Sequence, residues 1–178
     1  MSVKDIPPGR NPPHEVNAFI EIPQGGLPVK YELDPGSSTL FVDRFLHTSM
    51  LYPSNYGFIP NTLGEDGDTL DILVVTPMPV VTGCVIRARP VGVLLMSDEK
   101  GVDEKILAVP IDALNPFYKD VKTHEDLPPL LLEQITHFFT HYKDLEPGKS
   151  ASVGEWSTLD VAHQRIQLSI ERKWRDFR

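Results

Sequence analysis

Chemistry is concentrated in one short stretch of the 178-residue chain, Gly64-Glu65-Asp66-Gly67-Asp68-Thr69-Leu70-Asp71. Gly64 and Gly67 permit a tight turn, and Asp66, Asp68 and Asp71 stand just ahead of an apolar strand, so three carboxylates can converge on one point. No Lys or Arg lies between Phe45 and Ile86 to neutralise them locally. Hard oxygen ligands at that density suit Mg2+ or Mn2+. A lone Asp-Gly-Asp reads as a solvated turn; the third aspartate at the strand mouth shifts the reading toward a metal site. An EF-hand loop starting at Asp66 requires Gly at its sixth position and Glu at its twelfth, where Asp71 and Pro77 stand instead. An aspartyl-phosphate phosphatase places its nucleophile at the end of an apolar strand, whereas turn formers precede Asp66.

A second acidic group, Asp98, Glu99, Asp103 and Glu104 with Lys100 and Lys105 among them, follows the apolar run Val91 to Met96. Alone it would be a solvated hairpin. Its company is Lys30 and Arg44 on strand-like segments and the pair Tyr142-Lys143 at the end of a helical one. Carboxylates able to hold a divalent metal, together with Lys, Arg and Tyr donors, are what a phosphate-rich substrate demands.

The elements that must position these groups are short. The chain has seventeen prolines, about twice the usual share, and most of them punctuate its first two-thirds and exclude long helices there. Period-two alternation marks Val16 to Ile22 as a half-buried strand, with Val16, Ala18, Ile20 and Ile22 on one face and Glu21 on the other. In Val29 to Leu33 the apolar residues point inward and Lys30 and Glu32 project together from the opposite side. Further strands are predicted at Thr39 to Arg44, Leu70 to Val75, Val85 to Leu95 and Ile106 to Val109, an antiparallel, closed-sheet pattern. The last third is helical: Leu131, Ile135, Phe138 and Tyr142 share a stripe after Pro128 and Pro129. A second helix is predicted from about Leu159 to Phe177, capped by Ser157 or Thr158, with Leu159, Ala162, Ile166, Ile170 and Trp174 buried. The expected architecture is mainly β (α+β): one domain spanning residues 1–178, a small closed five-stranded β-barrel with two C-terminal helices.

The net charge of −8, with 17 Lys plus Arg against 25 Asp plus Glu, argues against sequence-independent binding to nucleic acid or to an anionic membrane. No run approaches the roughly 18 apolar residues of a membrane span, and the N-terminus has no apolar leader. The single Cys84 allows neither an internal disulfide nor a thiolate zinc site, so a reducing cytoplasmic setting is expected. Cys84 itself reads as a small buried hydrophobe, and Phe138, Phe139, Trp156 and Trp174 as core or interface packing. His137 and His141, spaced i, i+4 on the predicted helix, have a geometry that can hold a metal but lack the glutamate of a zinc protease. The histidines at 14, 47, 124 and 163 are expected at the surface or in caps.

Five segments, AFIEIPQGGLPVKYELD, LFVDRF, MLYPSNYGFIPNTLGEDGDTLDILV, RARPVGVLLMSDEKGVDEKILAVP and HFFTHYKDLEPGK, together resemble the soluble family I inorganic pyrophosphatases of the bacterial type, nearly end to end. The resemblance implies an OB-like barrel and a Mg2+-dependent hydrolysis of pyrophosphate by direct water attack, with several Mg2+ per site and Mn2+ or Zn2+ as substitutes. It implies Asp66, Asp71, Asp98 and Asp103 as metal ligands and Asp68 as general base. Lys30, Arg44, Tyr56, Tyr142 and Lys143 would hold phosphate oxygens, with Glu21, Glu32, Tyr52, Glu99 and Lys105 around them. It further implies a homo-oligomer, by analogy a hexamer, with the helix carrying His137 and His141 near subunit contacts. Thr69 stands where the family usually has Pro; since that position is not a ligand, altered turn stiffness rather than lost activity is expected. Two alternatives remain: a non-catalytic OB-like module for anions or divalent cations, and a hydrolase of another phosphoanhydride.

Overall fold

The computed structural model describes residues 3–176. Nine strands and two α-helices follow one another as β1 (Val16–Ile22), β2 (Val29–Asp34), β3 (Thr39–Phe45), β4 (Asn55–Phe58), β5 (Asp71–Val74), β6 (Val85–Asp98), β7 (Gly101–Val102), β8 (Lys105–Pro110), α1 (Pro129–His141), β9 (Ala151–Ser157) and α2 (Leu159–Asp176). Neighbours in the main sheet run β1, β4, β5, β8, β6, and a further β1–β6 pairing closes these five into a ring. The expected five-stranded closed architecture is therefore present, and closure removes the exposed edges that an open sheet would leave.

Not every pairing is antiparallel as expected: β5 and β8 run parallel, Asp71 opposite Lys105 and Ile72 opposite Ile106. The chain between them includes the whole of β6, which is long enough for the crossover that a parallel pair requires. β4, β7 and β9 are additional to the predicted strands; β9 adds to the outside of the ring by pairing with β6. β2 and β3 form a separate two-stranded sheet.

Alternation along the ring strands divides the apolar side chains between two cores. Ile72, Val74, Ile106 and Ala108 join Val16, Ala18 and Ile20 around Ala162, Ile166 and Ile170 of α2. Leu73, Leu107 and Val109 instead meet Ile135, Phe138 and Phe139 of α1. Ile22 departs from the predicted face: Ile20 pairs with Gly57 and Ile22 with Tyr56, so Glu21 is an extra residue in β1. This bulge turns Ile22 into the α1 core while Ile20 stays in the other. Gly57 is required at that crossing, because a Cβ there would lie 1.8 Å from the Phe19 carbonyl oxygen.

Both helices lie close to their expected bounds. Pro129 occupies the first turn of α1, where its missing N–H costs nothing. Thr158 caps α2, its Oγ1 accepting from the Val161 N–H at 3.4 Å. Phe177 lies outside the described residues. Three burial expectations are corrected. Trp174 is 68% exposed, because the last turn of α2 runs beyond the sheet it packs on. Cys84 is exposed, sitting in the turn before β6. His124 is buried, stacked against Trp156 with ring centroids 5.8 Å apart. Trp156 and Phe138 pack in or against the α1 core as expected.

Candidate active site

One cavity of about 710 Å3 gathers the ends of most of these elements. Glu21 enters it from β1, Lys30 and Glu32 from β2, Asp43 and Arg44 from β3, and Asp71 from the head of β5. The turn before β5 supplies Asp66 and Asp68, the end of β6 supplies Asp98 and then Glu99, and the link between β7 and β8 supplies Asp103. Tyr142 and Lys143 close it from the C-terminal end of α1.

The turn before β5 folds on itself for local reasons. The Gly64 N–H donates to the Asp68 carbonyl at 2.7 Å, and the Asp68 N–H to Asp66 Oδ1 at 3.1 Å. Gly67 between them has φ +90°, a left-handed conformation that side chains with a Cβ rarely take. From outside, Arg172 of α2 donates to the Leu63 carbonyl at 3.0 Å and to Glu65 Oε1 at 2.9 Å. Asp98 is shaped similarly, accepting from the Lys100 N–H at 2.8 Å.

Behind the cavity wall stands a buried ion group. Lys105, only 1% exposed, places Nζ 2.5 Å from both Asp71 Oδ2 and Asp103 Oδ1. The Tyr56 hydroxyl donates to the same Asp71 oxygen at 2.6 Å. Tyr52 and Tyr56 pack there, ring centroids 5.7 Å apart, and Tyr52 lies 4.7 Å from Phe138. These three residues support the wall rather than line it. Lys143 bridges Asp98 at 2.9 Å and Glu99 at 3.1 Å. Asp68, with 65% of its side chain exposed, is met by Lys100 at 3.1 Å.

The electrostatics follow from this arrangement. Burial pushes the Asp103 carboxyl up to about 6; Lys105 opposes the rise and the negative charge of Asp71 adds to it. Burial also raises Asp66, the Asp68 N–H working against it and Asp68 and Asp71 with it. Burial drives Glu21 up to about 8 although the Leu33 N–H donates to it at 2.8 Å. Asp98 goes the other way: burial would raise it, but Lys143 and the Lys100 N–H outweigh burial and hold it below the usual range. Burial would lower Lys105, yet Asp71 and Asp103 together keep its ammonium firmly charged.

Among the described residues no three Asp, Glu, His or Cys side chains form a ready metal cage. Lysine ammoniums stand between the carboxylates instead. The donor set nevertheless fits a hard divalent cation: Asp66, Asp71, Asp98 and Asp103 all line the cavity with oxygen ligands.

Some cavity residues were not legible from alternation. Asp43 neighbours Arg44 on β3 and should face away from it, yet both line the cavity. Lys30 pairs with Arg44 and Tyr31 with Val42, which leaves Asp43 as a bulge residue. Lys149 lines the cavity as well. The pair formed by Lys100 and Asp68 could have been suspected only from the density of charge around each. Away from the cavity, His137 and His141 lie with ring centroids 4.6 Å apart, and His141 Nδ1 is 2.8 Å from Asp144.

The chain is similar to known proteins over nearly its whole length. A family model described as "Inorganic pyrophosphatase" matches residues 18–174. An inorganic pyrophosphatase of Caulobacter vibrioides is 59% identical over 172 residues, covering 97% of each chain. One from Pseudomonas aeruginosa is 57% identical over 170 residues, 96% of this chain and 97% of the relative. A crystal structure from Anaplasma phagocytophilum, described as an inorganic phosphatase, superposes with a TM-score of 0.94 at 49% identity, covering 96% of this chain and 99% of that one.

Proposed function

The chain belongs to the inorganic pyrophosphatase family and hydrolyses pyrophosphate to two orthophosphates, and we propose that it does so by direct attack of water with Mg2+ held by Asp66, Asp71, Asp98 and Asp103. The observation that carries this reading is that six aspartates and the Lys30, Arg44 and Lys143 cations line one cavity. When bound, Mg2+ would neutralise charge on the phosphates and lower the pKa of a bound water.

The protein's own groups do the rest. Asp68 stands at the open rim, where its carboxylate can take the proton of the attacking water. Lys30, Arg44, Tyr142 and Lys143 hold phosphate oxygens and stabilise charge on them in the transition state. Tyr56, implied by the resemblance as a phosphate contact, has its hydroxyl on Asp71; we assign it to bracing that ligand, together with Lys105 and Tyr52. Glu21, Glu32 and Glu99 fix the orientation of these groups, Glu99 through Lys143 and Glu32 through Lys30. Water attack needs no protein nucleophile, so no phosphoenzyme forms.

Phosphate release from pyrophosphate should require Mg2+, stop with chelator, and fall about 10²- to 10⁴-fold in kcat for Asp68→Asn. Because Asp68 is exposed, that variant should keep its thermal midpoint; undiminished turnover in it would remove Asp68 from the reaction. kcat/KM for ATP compared with pyrophosphate under matched metal decides whether another phosphoanhydride is used. The family relationship weighs against a non-catalytic module. The reading extends to a single-domain cytoplasmic enzyme assembled as a homohexamer, which sedimentation tests. No helix among the described residues is long and apolar enough to cross a membrane.

A further inference from the structure

Arg44 is held from behind by a residue that no part of the reaction uses. Its Nε lies 2.8 Å from Glu146 Oε2, and the Glu146 side chain is only 5% exposed. Its Nη1 donates to Asp43 at 2.7 Å. Arg44, Asp43, Tyr142, Lys143 and Lys149 line the cavity, whereas Glu146 does not. Glu146 sits in the turn that ends α1, its N–H donating to the Lys143 carbonyl at 2.9 Å. The same turn is tied to the chain following β3 twice more, by Thr48 Oγ1 donating to the Tyr142 carbonyl at 3.3 Å and by His47 Nδ1 at 3.0 Å from the Leu145 carbonyl. One anchored carboxylate thus spans the gap between the β2–β3 hairpin and the helix end that presents Tyr142 and Lys143.

We infer that Glu146 is a positioning residue for substrate binding: by holding Arg44 Nε from outside the cavity, it aims the guanidinium at the phosphate and fixes the hairpin's cation relative to Lys143. A long Arg side chain carries much rotamer freedom, and ordering it in advance removes that cost from binding. The sign distinguishes this role from simple electrostatics. Taking away a negative charge beside an anion site should tighten binding if charge alone matters; losing the anchor should weaken it. Neither Arg44 Nε nor Glu146 Oε1 has a hydrogen-bond partner among the described residues, so the Nε–Oε2 contact holds as an ion pair, and Lys149 Nζ shares the same oxygen at 3.7 Å.

The inference rests on Arg44 binding phosphate, and a double-mutant cycle separates the two claims. At saturating Mg2+, KM for pyrophosphate and the Kd of methylenediphosphonate are measured for wild type, Glu146→Ala, Arg44→Ala and the double variant. Glu146→Ala should raise both constants about tenfold, with kcat falling less than KM rises, and should add little once Arg44 is absent. Glu146→Gln, equal in size and still an acceptor, should recover part of the loss and covers the case in which the alanine variant does not fold. If Arg44→Ala weakens binding while both Glu146 variants leave it unchanged or tighter, or if the effects simply add, the positioning role is overturned. If Arg44→Ala itself leaves binding unchanged, the assignment of Arg44 falls and this inference with it.

Discussion

Lys105 is the residue on which the cavity wall depends most. A fully buried ammonium between two carboxylates is tolerable only while all three charges are present, since breaking such a group by removing one partner costs about 3–5 kcal/mol. Lys105→Met should therefore lower the thermal midpoint sharply in chelator. Saturating Mg2+ should recover part of that loss, because the cation replaces the missing positive charge beside Asp71 and Asp103. Melting with and without Mg2+ checks both statements.

Glu21 makes the converse case. Its folded pKa of about 8 lies above the ordinary carboxyl value of 4.5. The folded protein therefore binds this proton more tightly than the unfolded chain does, and stability is lost as pH rises through that window. Glu21→Gln can still accept from the Leu33 N–H and carries no charge to bury. Its midpoint in chelator should match wild type near pH 4.5, rise above it progressively up to about pH 8, and hold a constant lead beyond. Each kcal/mol gained is worth about 2–4 °C in a chain of this size.

At the scale of elements, α2 does more than fill a core. Arg172 reaches from its last turns to Leu63 and Glu65, and the Leu63 N–H donates to the Ser169 carbonyl at 3.0 Å, so the helix holds the turn carrying Asp66 and Asp68 by three bonds. Arg172→Ala should leave the thermal midpoint within a few degrees yet weaken Mn2+ binding to the metal-free protein several-fold by titration. Unchanged Mn2+ affinity would confine Arg172 to a surface role.

Elements also show where reading the chain reaches its end. Val16–Ile22, Val85–Asp98 and both helices were legible because their apolar periods are long. Asn55–Phe58 was not, since a four-residue strand containing Asn and Gly has no period to detect and exists through its partners on either side. The parallel pairing of β5 with β8 is likewise a tertiary choice. The site was legible further than the fold: carboxylate density located the turn, and the resemblance assigned the roles. Ile22 and Asp43 defeated alternation because a bulge, at Glu21 in β1 and at Asp43 in β3, changes the face of a side chain without changing the residue types around it.

For the whole molecule, most of the net charge of −8 lies outside the cavity. Nine carboxylates line the cavity against seven Lys and Arg side chains, so only two of the excess negative charges belong to its lining and the buried Lys105 behind it offsets one of those. Each bound Mg2+ would add two positive charges to this nearly balanced lining and so favour pyrophosphate. The thermal midpoint should rise with Mg2+ concentration, by about 2.7 kcal/mol of stability at a hundredfold excess over Kd, and a midpoint indifferent to Mg2+ would contradict a metal site here.

β6 pairs with β1, β7, β8 and β9 in turn. No seam of the ring can open at β1 or β8 without taking a partner from it, so the amide protons along its centre should exchange with solvent only when the entire chain unfolds. The turn holding Asp66 and Asp68 has no such partners and should exchange orders of magnitude sooner. Asp98, at the end of β6, should therefore open only with the sheet, while Asp68 depends on its own turn and on the bonds from α2: the cavity joins a jaw moored in the ring to one hung from a helix.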